Sequence, residues 1–147
     1  MAAVQTIAGT QLLIMIETET AGIFEHPCLI NAARGIVFSS DANSEVTPDC
    51  DNPDDPGWKQ VTKAGMQATI SGAGKLHTPD IEMFDAWFHT DEAKAVKVQV
   101  GTDTPVGTWT GNFKLTEFGV SGDRGEKAEA TVTLLSDGEV GLFTPTP

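Results

Sequence analysis

Residues Trp58–His77 read WKQVTKAGMQATISGAGKLH. The middle of this stretch alternates without a break. Met66, Ala68 and Ile70 project to one side, and Gln67, Thr69 and Ser71 to the other. A two-residue period of this kind is that of a β-strand with one face on a core and one face in water. Gly65 precedes the run, and Gly72 and Gly74 close it, which suits a strand that bends or is approached closely by a neighbour. The outer face is small and polar. It is built to pair and curve beside other strands rather than to hold a reactive group.

Working outward, 147 residues are enough for a real core, and we expect one domain spanning residues 1–147. Glycine and proline are plentiful, tyrosine is absent, and valine, threonine and isoleucine fall in short runs, which is a β-rich profile. The formal charge of −12 argues against a protein that grips nucleic acid through its phosphates. It is compatible with a protein that nucleic acid slides past, where repulsion is useful, and the ordinary reading is that acidity keeps the domain soluble. The first basic side chain is Arg34 and the apolar run Leu12–Ile16 is too short to cross a bilayer, so no targeting segment is expected. Without a secretion signal, Cys28 and Cys50 are expected as two thiols in a cytoplasm rather than a disulfide.

In chain order, residues 1–8 form a small-residue arm. Gln11–Glu19 is expected as a strand apolar on both faces, broken by Ala21–Gly22. Phe24–Asn31 is a second extended run interrupted by Pro27, and Ile36–Ser39 a short strand. Ser40–Gly57, reading SDANSEVTPDCDNPDDPG, has almost nothing to bury and is expected as a long exposed acidic loop or a poorly paired hairpin. Thr78-Pro79-Asp80 starts the one convincing helix, 78–93, with Thr78 as N-cap and Pro79 at its first position. Ile81, Phe84 and Phe88 share its apolar stripe, flanked by Met83 and Trp87, opposite Glu82, Asp85 and His89.

Three alternating strands follow. Ala95–Val100 turns Val96, Val98 and Val100 inward, and Gly101–Gly107 is a turn around Pro105. Thr108–Gly119 sets Trp109, Phe113 and Leu115 against Thr110, Asn112, Lys114 and Thr116. The parity slip between Leu115 and Phe118 requires a bulge with Glu117 outward. Lys127–Leu134 sets Ala128, Ala130, Val132 and Leu134 against Glu129, Thr131 and Thr133, and the chain ends in a Pro-rich tail, 144–147. The expected fold is mainly β, an antiparallel β-sandwich or open barrel with one flanking α-helix.

Catalytic and cofactor motifs are not found. SGAGKL fails as a phosphate loop, because the first required glycine is Thr69 and the hydroxyl position after Lys75 is Leu76. The acidic run from Asp49 fails as an EF-hand, with Asp54 at the glycine position and Gln60 at the final glutamate position. An irregular cation site from Asp49, Asp51, Asp54 and Asp55 is the alternative to a solvated loop. His26, His77 and His89 lack metal-ligand spacing, and no serine or cysteine sits in a nucleophile motif. No enzyme and no cofactor is expected.

The order of these segments carries a resemblance. GTQLLIMIET at 9–18, GWKQVTKAGMQATISGAG at 57–74, a helix, then GTWTGNFKLTEFGVSGDRGEKAEATVTLLSDGEVGLF at 107–143 resembles the major tail tube proteins of long-tailed phages. It is most similar to the group shared by siphovirus major tail proteins and gene transfer agents. The resemblance implies β-sandwiches in six-membered rings, whose strands join a continuous barrel around a lumen and so remove unpaired sheet edges.

On that reading the candidate lumen-facing residues are Gln67, Thr69 and Ser71, then Asn112, Lys114 and Thr116, then Glu129, Thr131 and Thr133. Six copies at −12 each carry about 72 negative charges, which discourages DNA from sticking in transit. The loop carrying Asp41, Glu45, Asp49, Asp51, Asp54 and Asp55 is the expected inter-ring device. Implied partners are further copies of the chain, a tape-measure protein, a tail terminator and distal tail or baseplate proteins. DNA passes through without sequence-specific binding. The implied location is the virion tail, assembled in the host bacterial cytoplasm. Two rivals are a secretion-system tube protein and a carbohydrate-binding β-sandwich using Trp58 or Trp109 as an exposed platform.

Overall fold

The structure, a computed structural model, describes residues 3–18, 22–101 and 105–145. The expected strand end at Glu19, the break at Ala21, residues 102–104 of the expected turn Gly101–Gly107, and the first and last two residues lie outside this set. A short 3₁₀ turn, Gly9–Gln11, leads into β1 (Leu12–Glu17), which is followed by β2 (Phe24–Glu25), β3 (Arg34–Val46) and β4 (Lys59–Lys75). A second 3₁₀ turn, Thr78–Asp80, opens α1 (Ile81–Phe88). Then come β5 (Lys94–Val100), β6 (Gly107–Ser121), β7 (Glu129–Ser136) and β8 (Thr144–Pro145).

All pairings are antiparallel and form one sheet in the order β2-β1-β5-β6-β7-β4-β3, with β8 added to β6. β6 is the pivot. Its first half, Gly107–Phe113, pairs with β5, and its second half, Phe113–Ser121, pairs with β7. The sheet therefore folds over at β6, and β1 approaches β3 from the far end of the strand order without a ladder between them. This is the open, curled arrangement expected of the alternating strands, with one helix on it.

One apolar cluster fills the fold. Ile14 and Ile16 of β1, Val96 and Val98 of β5, Phe113 and Leu115 of β6, Ala130, Val132 and Leu134 of β7, and Ala68 and Ile70 of β4 all contribute. Phe84 and Trp87 of α1 close it from above, and Phe84 stacks on Phe118 with ring centres 5.8 Å apart. The expected bulge is present. The ladder slips between Leu115 and Glu117, Thr116 is the extra residue, and Glu117 pairs with Thr133.

Several expectations are corrected. The helix ends at Phe88 rather than near 93, because Trp87 Nε1 donates to the Glu92 carbonyl at 2.9 Å and folds 89–93 back beneath the last turn. Trp87 takes the buried position and Phe88 is 46 % exposed. Thr78 lies within the 3₁₀ turn and makes no capping bond, while the Asp80 carboxylate accepts from the Leu29 amide at 3.0 Å. The extended run 24–31 is a strand only at Phe24–Glu25. After Pro27 the chain turns, with the Ile30 amide donating to the Pro27 carbonyl, and sinks Leu29 and Ile30 fully into the core. Met66, expected inward, is 83 % exposed. The β4–β7 ladder ends at Thr69 and Leu135, so Met66 has β3 on one side and no strand on the β7 side.

Of the two expectations for 40–57, the structure has the hairpin rather than the loop. Ser40–Val46 is paired strand, and only 47–58 forms the connecting tip. β3 and β4 stay in register from Ala42 and Lys63 out to Val46 and Lys59. Asp41 and Glu45 thus lie on β3, not in a loop. A core is not needed for this ladder, because the backbone hydrogen bonds of two adjacent strands satisfy each other in water.

Candidate functional site

Two features stand apart from the core: a polar sheet face and a projecting ribbon. The nine residues expected on the polar side come together on one face of three neighbouring strands. β7 lies between β4 and β6, with Ser71 opposite Thr133, Thr69 opposite Leu135, and Lys114 opposite Leu135 on the other side. Gln67, Thr69 and Ser71 alternate with the buried Ala68 and Ile70. Glu129, Thr131 and Thr133 alternate with the buried Ala130, Val132 and Leu134. Asn112 and Lys114 flank the buried Phe113, and Thr116 sits in the bulge, donating to the Thr133 carbonyl at 3.2 Å. None of the nine is buried.

Opposite charges meet on this face. The Lys75 ammonium donates to the Glu129 carboxylate at 2.8 Å, which holds that carboxyl below the ordinary glutamate value. The Lys114 ammonium donates to Asp91 at 3.1 Å. That hydrogen bond and the aspartate's charge raise the lysine above its ordinary value, with Asp137 adding a smaller push. The densest run of carboxylates lies elsewhere: Asp41, Glu45, Asp49, Asp51, Asp54 and Asp55 belong to the ribbon and its tip. The polar face is therefore closer to neutral than the −12 of the whole chain suggests.

The ribbon is two-sided. Between the Ser40–Met66 and Ala42–Lys63 pairs, Ala64 and Gly65 of β4 face the single residue Asp41 of β3. This bulge shifts the parity of β4, so Lys59, Val61 and Lys63 join Ala42, Ser44 and Val46 on the side continuous with the core-facing row. Asn43, Glu45, Gln60 and Thr62 take the opposite side. Val46 and Val61 remain 51 % and 65 % exposed. The composition of 40–57 hid this arrangement, because its second strand lies outside that segment.

At the ribbon's base is a mixed groove of about 850 Å³, with the apolar Phe38, Met66, Trp109 and Leu142 around it and Ser40, Lys63, Gln67 and Glu139 at its rim. Trp109 is not an exposed platform. It lies between Phe38 and Phe143, with ring centres 5.5 and 4.9 Å away. Trp58, at the far end of the ribbon, is 92 % exposed.

In the tip, the Asp51 amide donates to Asp49 Oδ1 at 3.0 Å, and among the described residues no three acidic, histidine or cysteine side chains converge to hold a metal. Cys28 and Cys50 are exposed free thiols. No helix among the described residues is long and apolar enough to cross a membrane.

Solved structures share this fold. A chain from the tail of an empty gene transfer agent particle, refined with six-fold symmetry, superposes with a TM-score of 0.78 at 23 % identity, covering 95 % of this chain and 99 % of that one. A chain of the native gene transfer agent virion gives 0.75 at 22 % identity, with 95 % and 99 % covered. A chain of the sheath–tube complex of an extracellular contractile injection system gives 0.67 at 17 % identity, with 96 % and 93 % covered. Comparison with curated proteins yields no match. The sequence itself, over residues 6–141, matches the family model described as phage tail tube protein, and the chain belongs to that family.

Proposed function

We propose that this chain forms six-membered rings that stack into the tube of a phage-like tail, the conduit for DNA delivery. The observation that carries this reading is the gathering of Gln67, Thr69, Ser71, Asn112, Lys114, Thr116, Glu129, Thr131 and Thr133 on one exposed, nearly neutral face of a curved sheet. Turned toward a lumen, hydroxyls, amides and paired charges make a wet wall with little net attraction for phosphate. The chain contributes no chemistry to the passing DNA and acts structurally, not as an enzyme.

The ribbon and its acidic tip, with Asp41, Glu45, Asp49, Asp51, Asp54 and Asp55, serve as the inter-ring device. A two-stranded ribbon beyond the core is marginal alone, and contact with another copy stabilises it. Tape-measure, terminator and distal tail or baseplate proteins are the tube's other neighbours. The chain works in the virion tail after assembly in the host cytoplasm. A secretion-type injection tube is the second reading, favoured by the fold shared with the contractile injection system chain.

Electron microscopy of the concentrated protein, with light scattering on a dilute sample, tests the reading. Rings or tubes with a central channel are expected. A variant with the tip shortened should fold as a monomer and build no tubes, and tubes of normal length from that variant would remove the ribbon from the inter-ring role.

A further inference from the structure

Trp58 and the groove at the ribbon's base, with its four apolar side chains, are both open to solvent and on different parts of the same surface. We propose that Trp58 of one copy docks in the groove between Phe38, Met66, Trp109 and Leu142 of a second copy. This rests on the tube reading and names the contact by which the ribbon works.

The groove exists because two strands part company. β7 pairs with β4 only as far as Leu135 and Thr69. Beyond Ser136 the chain follows β6 instead, with the Asp137 amide donating to the Asn112 carbonyl at 2.8 Å and the Gly141 amide to the Thr110 carbonyl at 3.1 Å. β4 runs on toward the tip, and the gap between it and this C-terminal strap is left open. Met66 and Leu142, on either side of the gap, are 83 % and 93 % exposed. Large apolar side chains around a concavity of this size are what an aromatic anchor fills.

Trp58 is presented rather than loose. Lys59 pairs with Val46, and the preceding Gly57 lies so close to the chain that a Cβ there would be 2.8 Å from Val46 Cγ1 and 2.9 Å from the Thr47 carbonyl oxygen. With the backbone at Gly57 and Lys59 already held, docking has the indole's rotamers to order and not the chain that carries it. Trp58 cannot reach its own groove: the ladder from the Val46–Lys59 pair to the Ser40–Met66 pair spans six steps of β3, about 20 Å at the rise of an extended chain. The occupant therefore comes from another copy.

Charge favours the same partner. Asp54, Asp55 and Lys59 flank Trp58, and Lys63 and Glu139 lie at the groove. A seated Trp58 brings acid toward Lys63 and Lys59 toward Glu139, so both signs are answered. Because donor and acceptor are different surfaces, the contact is head-to-tail and propagates rather than pairing off into dimers.

Two sets of variants test this, in a background with Cys28→Ser and Cys50→Ser. In the first, Lys59→Cys copies are mixed with Glu139→Cys copies under mild oxidation. Disulfide-linked pairs are expected only in the mixture, and adding Trp58→Ala to the Lys59→Cys copy should abolish them. In the second, Trp58→Ala should keep the monomer's circular dichroism and melting temperature. It should raise the concentration needed for assembly at least roughly tenfold, with Trp58→Phe restoring part of the loss. Normal tubes from Trp58→Ala together with no cross-link would overturn this contact and leave the tube reading standing. A wild-type chain that forms neither rings nor tubes at any concentration would overturn both.

Discussion

The Asn31 side chain behaves as a length of backbone toward Lys75. Its Oδ1 accepts from the Lys75 amide at 2.9 Å and its Nδ2 donates to the Lys75 carbonyl at 2.8 Å, while the same Nδ2 reaches the Cys28 carbonyl at 2.8 Å. The next two residues continue the ladder, Ala32 and Ala33 exchanging hydrogen bonds with Ala73. This clamp fixes the turn that sinks Leu29 and Ile30 into the core. Asn31→Ala should destabilise the fold by about 1–3 kcal/mol, read as a lower urea midpoint at unchanged slope. Gly74→Ala should cost a similar amount, because the added methyl meets Asn31, whose amide nitrogen would be 2.7 Å away.

The C-terminal strap should matter through β6. Gly107 leaves room for the Phe143 ring, and a Cβ there would also lie 2.7 Å from the Thr144 carbonyl oxygen. Gly111 does the same for Val140, at 3.0 Å from its Cγ2. Gly107→Ala should loosen the strap and expose Trp109, seen as a red shift in tryptophan emission and a loss of about 1–3 kcal/mol in urea unfolding. An unchanged emission maximum would show that Phe143 does not shield Trp109.

The Lys75–Glu129 pair sets a pH signature. Hydrogen bonding to the ammonium depresses the Glu129 carboxyl in the folded protein, so the pair's contribution is present above the ordinary glutamate range and fades as pH falls through the folded value. Lys114 works the other way: its raised value means a contribution that is full below the ordinary lysine range and lost at high pH. Both pairs are at the surface, so the stability effect should be small. Carbon-detected NMR titration should place Glu129 below the ordinary value, and Lys75→Met should return it.

The near-neutral polar face predicts the effect of adding charge. Thr131→Lys and Ser71→Lys introduce exposed cations beside one another's strands without touching the core. Monomer stability should change by less than about 0.5 kcal/mol. Assembled tubes of the double variant should retain short duplex DNA in a salt-dependent way, and wild-type tubes should not.

Much of this was legible in the residues. The alternation of Ala68 and Ile70 against Thr69 and Ser71, and of Ala130 to Leu134 against its threonines, gave both faces correctly, because the period of a strand is a geometric constant. The parity slip at Leu115 announced the Thr116 bulge. What escaped was set by neighbours rather than by pattern. Met66 obeys the period yet lies outside, because β7 leaves β4 at Leu135 before reaching it. The ribbon beyond Ser40 was legible only as the hairpin alternative to a loop, because backbone pairing needs no apolar residues, and its two sides emerge only when Val46 is matched with a strand that begins at Lys59. The groove was invisible for the same reason, being a gap between segments far apart in sequence.

If the polar face of β4, β6 and β7 lines a channel, cryo-electron microscopy of the assembled protein should show a six-fold tube with Ser71, Thr131 and Thr133 facing the lumen and α1 on the far side of the sheet. A tube whose lumen is lined by α1, with those three residues on its outer surface, would contradict that reading.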